Sequence, residues 1–136
     1  MRTTKTHWLA CTVLVGLIPI FSRLFIWLAT KDGTVEPFAP QDLIAFGLVL
    51  HISNINEMKH LVTADRSWKI VHNGASLCFI AIYGAFFCLT LIGDDIVDQH
   101  AMITCVGIIA LASLFISYCL LNRISKFHSH DPKHHP

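Results

Sequence analysis

Asp42 to Val62 reads DLIAFGLVLHISNINEMKHLV, and this stretch decides what fold the chain can have. The apolar run from Leu43 to Ile52 rises only about 15 Å as a helix, half of a hydrocarbon core roughly 30 Å thick. The residues that follow include His51, Ser53, Asn54, Asn56 and Glu57. If the segment spans a bilayer, this polar half also lies at membrane depth. Lipid cannot solvate it, so neighbouring protein or internal water must.

The rest of the chain makes a membrane the natural setting. The 136 residues are 54% hydrophobic and only 14% charged, with a mean hydropathy of +0.57. A soluble domain carries about 25% charged residues. Four apolar segments of near-spanning length stand out, at about 8–29, 42–62, 70–93 and 100–121. They predict an all-α, polytopic integral membrane protein with four transmembrane helices, in one domain covering residues 1–136. A soluble bundle would need a polar side on each helix, which these segments lack.

The first segment follows a basic start, Arg2 and Lys5, as a secretory signal would. Its apolar run outlasts a signal core, and Arg23 interrupts any neat cleavage site, so a retained helix is expected, bent at Pro19. Leu9-Ala10-Cys11 precedes the apolar run and so cannot serve as a lipoprotein cleavage site. Thr12 and Gly16, four apart, offer a small-residue contact face. Asp32-Gly33, Pro37 and Pro40 mark turns before the second helix. The polar tail from Arg123 is expected to lose order toward its end.

Charge placement predicts the topology. Basic residues precede the first helix, separate the second from the third (Lys59, Arg66, Lys69) and follow the fourth (Arg123, Lys126, Lys133). The other two connections hold only Lys31 against Asp32, Glu36, Asp42, Asp94, Asp95 and Asp98. The positive-inside rule then places both termini in the cytoplasm, in a cell inner (plasma) membrane. A net charge of +1 gives no reason to invoke nucleic acid.

On a helix, Gly47, His51, Asn54 and Met58 share one face, with Ser53 and Glu57 at its edge and Asn56 elsewhere. Such a row can hydrogen-bond helices together, line a path for ions or protons, or hold a ligand. Packing glue within an oligomer is the favoured reading. Arg23 is the other intramembrane charge and is expected to reach outward to Asp42 or to the acidic loop of Asp94, Asp95 and Asp98. Glu57 sits near the opposite surface, where Lys59 can neutralise it.

Other chemistry finds little support. The D-D-x-x-D run of the acidic loop can bind Mg²⁺, but it stands without a second acidic motif or a phosphate clamp. Haem needs facing histidines at one depth. His51 is central, His60 and His72 lie near one surface, and His100 lies near the other. The tail histidines are read as adventitious metal binders. The five cysteines, Cys11, Cys78, Cys88, Cys105 and Cys119, all fall in apolar segments and are read as small core residues. Ala81 and Ala85, Gly84 and Cys88, and Ser113 and Ser117 are small pairs four apart, suited to close helix contact within one chain or between chains.

Elimination therefore leaves no catalytic residue, metal site or cofactor. The expectation is a non-enzymatic, homo-oligomeric membrane subunit. Its basic surface (Lys59, Arg66, Lys69, Arg123, Lys126) meets anionic lipid and a soluble cytoplasmic partner. Bacterial phage defence or toxin immunity is the expected setting by association alone. The alternatives are a small pore or proton pathway lined by the second helix, and a b-type haem or quinone-binding anchor.

Overall fold

A computed structural model describes residues 2–31, 33–60, 66–92 and 96–128, with side chains placed from 10 to 124 except at position 60 and in the gaps. Four helices follow one another: α1 (Arg2–Ala29), α2 (Pro40–His60), α3 (Arg66–Thr90) and α4 (Gln99–His128).

Their ends have local causes. After α1, Thr34 N donates to Lys31 O at 3.2 Å, and Gly33 supplies the φ of 83° that this turn needs. Pro40 opens α2, where its missing N–H leaves no intrahelical bond unmade. Asp42 lies in that first turn, beside the positive end of the helix dipole. Asp98 caps α4: its Oδ1 accepts from His100 N at 2.9 Å and Ala101 N at 3.2 Å. Asp94 and Asp95 lie outside the described residues.

Among the described residues, three helices are long and apolar enough to cross a membrane, at Ala10–Ala29, Arg66–Thr90 and Gln99–Ile124. Their large apolar side chains face outward in quantity: Phe25, Leu28, Leu111 and Phe115 are each at least two-thirds exposed. Water would not tolerate so much exposed apolar surface, whereas lipid would. The chain has the character of a membrane protein on this ground. α2 is not in that set, because its second half is too polar.

This least apolar helix is the one the others surround. α2 packs against α1, α3 and α4, while α1 and α3 make little or no contact with the remaining helices. Thr12 faces Ser53 and Arg23 faces Asp42, so α1 runs antiparallel to α2. Phe79 stacks on His51 and Tyr83 covers Gly47, so α3 is antiparallel too. His51 meets Ser113 and Asn54 meets Ser117, so α4 runs parallel to α2. Every core cluster contains an α2 residue. Ile44 packs with Tyr83, Met102 and Val106; Phe46 and Leu50 pack with Ala110; Met58 packs with Leu120 and Ile124.

One expectation about the interior is corrected. All five cysteines are exposed instead of in the core. Of the small pairs, Ser113 and Ser117 are buried within the chain, while Ala81, Gly84, Ala85 and Cys88 face outward from α3, where only contact between chains is open to them. The outward cysteines have a physical reason. Where the outside of a bundle is as apolar as its inside, an apolar or small residue carries no mark of which side it faces.

Candidate functional site

The candidate site is the polar seam where α2 meets α3 and α4. Gly47, His51, Asn54 and Met58 are all buried along one face of α2, Ser53 and Glu57 are half-buried, and Asn56 is exposed.

Gly47 allows the seam to close. A Cβ at this position would lie 2.0 Å from Tyr83 Cζ and 2.3 Å from its hydroxyl, so any larger residue displaces the ring. Tyr83, fully buried, then reaches across to α4, where its OH lies 2.9 Å from Ser113 Oγ. His51, also fully buried, puts Nε2 2.9 Å from the same oxygen. Ser113 Oγ donates its single proton to Ile109 O at 2.8 Å, a bond back to its own helix. The oxygen is then left to accept from both neighbours, so Tyr83 donates through its O–H and His51 through Nε2–H. This count assigns the neutral Nε2–H tautomer to His51. Its Nδ1 is buried and meets no donor. The imidazole is also clamped by Phe79, whose ring stacks at 4.7 Å and 14°.

One turn along, Asn54 Nδ2 donates to Ser117 Oγ at 2.8 Å. The antiparallel register of α2 and α3 puts buried Ser76 at the level of Asn54. Asn73 Oδ1, one turn earlier on α3, is buried without a partner. Beyond the seam, Met58 closes the stack against Leu120, Ile124 and Trp68. Arg123 stands 5.3 Å over the Trp68 ring, and His72 tilts against the same ring at 4.7 Å.

The opposite face of α2 is different. Ser53 meets Thr12 at 3.2 Å. Beside this contact an open groove of about 580 Å³ runs between α1 and α2. At the acidic end of the bundle, Arg23 Nε donates to Asp42 Oδ2. Of the two partners expected for Arg23, the structure uses Asp42. Glu57 and Lys59 form no ion pair. Two residues apart on a helix they point in nearly opposite directions, and Lys59 instead stands exposed at the groove.

Of the basic surface, Lys59, Arg66 and Arg123 are exposed and Lys69 is half-buried, all at one end of the bundle. The Lys126 side chain lies outside the described set. Of the histidines considered for haem, the His60 side chain lies outside the described residues, and the other three have separate surroundings. His51 is committed to Ser113 and Phe79, His72 lies against Trp68, and His100 is exposed. Among the described residues no three His, Cys, Asp or Glu side chains gather as a metal site.

Sequence reasoning missed Tyr83 and Phe79 and read Ser113 and Ser117 only as small contact residues. The available signal was chemical. A buried imidazole and amide three residues apart on one helix need hydroxyl partners, and Ser113 with Ser117 are four apart on another. Comparison with protein-family models, curated proteins and solved structures finds no match.

Proposed function

We propose that the chain is a non-enzymatic subunit of the inner membrane, with all four helices spanning and both termini in the cytoplasm. It serves as an oligomeric anchor or signalling element for a cytoplasmic partner. One observation carries this reading: His51 and Asn54 are turned inward and bonded to Ser113 and Ser117 of the same chain. The polar half of α2 is thereby used for packing. What remains for recognition is the basic end, where Lys59, Arg66 and Arg123 are exposed.

α2 completes the set of spans in this reading. Its 21 residues rise about 31 Å, enough to cross, and three apolar neighbours shield what lipid would reject. Charge bias orients the bundle. Single cysteines in a cysteine-free background test the topology with a membrane-impermeant maleimide. Positions 66 and 123 should react only from the cytoplasmic side and position 31 only from outside. Reversing Arg66 and Lys69 to Glu should abolish co-purification of a cytosolic protein, and unchanged capture would sink the partner assignment.

A small pore or proton pathway is the second reading, and His51 Nδ1 supports it, since a buried acceptor without a donor is an open proton site. Planar-bilayer conductance that responds to His51→Ala or Glu57→Gln would favour it over the subunit.

A further inference from the structure

We propose that the groove between α1 and α2 is a binding site for one anionic phospholipid of the cytoplasmic leaflet. The inference rests on the orientation given above, which puts Lys59 at the cytoplasmic surface.

The groove is graded in polarity along its length. Val15, Val49 and Ile52 line its deep part with hydrocarbon. Thr12 and Asn56 come next, and Lys59 stands at its far end. From Val49 to Lys59 the helix climbs ten residues, about 15 Å, which is the hydrocarbon depth of one leaflet. An acyl chain laid along Val49 and Ile52 therefore brings its phosphate level with the Lys59 ammonium. The volume, about 580 Å³, lies within the range of small-ligand sites.

The charges fit as well. Lys59 is exposed, and the sole salt bridge among the described residues, Arg23–Asp42, is at the opposite end. Asn56 is exposed on the same side of α2 as Ile52 and Lys59, so its amide is open to donate to a phosphate or glycerol oxygen. A second protein helix would satisfy the hydrocarbon wall but not this cation. A lipid with a zwitterionic headgroup would bring its own cation toward Lys59. Cationic pockets between helices on the cytoplasmic side are suited to anionic headgroups.

The test is native mass spectrometry of the full chain released from nanodiscs of equimolar phosphatidylglycerol and phosphatidylcholine. Wild type should retain one phosphatidylglycerol per chain. Lys59→Gln should lower that retained fraction about tenfold, and Ile52→Trp, which fills the groove from its wall, should lower retention of both lipids. Equal retention of the two lipids by wild type, or unchanged retention in both variants, would overturn the site. So would a second copy of the chain in place of lipid. Maleimide labelling of Lys59→Cys reports the orientation separately. Labelling from outside breaks the topology, whereas cytoplasmic labelling without lipid preference breaks only the site.

Discussion

The two long faces of α2 carry polar side chains at similar depth and dispose of them in opposite ways. Toward α3 and α4, His51 and Asn54 are buried and bonded. Toward α1, Ser53 keeps one contact with Thr12 while Asn56 and Lys59 stay exposed beside an open groove. The difference shows that polarity on a helix inside an apolar bundle is not one signal. Where neighbours supply hydroxyls it fastens the fold, and where they do not it remains available to something outside the chain.

Substitutions can break this contrast, beginning with the most severe. Gly47→Leu should cost about 3 kcal/mol, because Tyr83 cannot stay over α2 and the seam opens. Thermal unfolding in detergent reads this as a collapse of the transition, and Tyr83→Ala in the same chain should recover part of it. Ser113→Ala should cost about 2 kcal/mol, since both Tyr83 OH and His51 Nε2 lose their acceptor. Adding Tyr83→Phe to Ser113→Ala should then cost less than it does in wild type. Additive losses in that cycle would mean the three groups are not one network. Asn54→Ala removes one bond and should cost about 1 kcal/mol. Asn56→Ala, two residues on, should stay within about 0.5 kcal/mol. Equal losses at Asn54 and Asn56 would erase the distinction between the faces.

Much of this arrangement was legible in the residues. Helical spacing put Gly47, His51, Asn54 and Met58 together and Asn56 apart, and the burial pattern follows that division. The need for protein around a half-polar span pointed to α2 as the enclosed helix. Helix ends were harder. α1 starts at Arg2 and α4 runs to His128, beyond the apolar segments. Hydropathy marks where lipid stops, and a backbone without Pro or Gly to break it continues as helix past that point. The partners of the seam were hidden for another reason. That Tyr83 settles over Gly47 depends on the axial register between two helices, which no single-helix period encodes. The outward cysteines escaped because an apolar exterior and an apolar core select the same residues.

The bond between His51 and Ser113 joins positions 62 residues apart. At synthesis rates of about 5–20 residues per second, His51 must wait roughly 3–12 s for its partner to emerge. During that interval the polar half of α2 lacks its later partners, since α1 offers that half only the Thr12 hydrogen bond. If α2 spans as proposed, it needs shelter from lipid until the last helix arrives. Chains ending after α3 should be cleared faster than complete ones in a pulse–chase, and equal lifetimes would show that the waiting segment needs no such shelter.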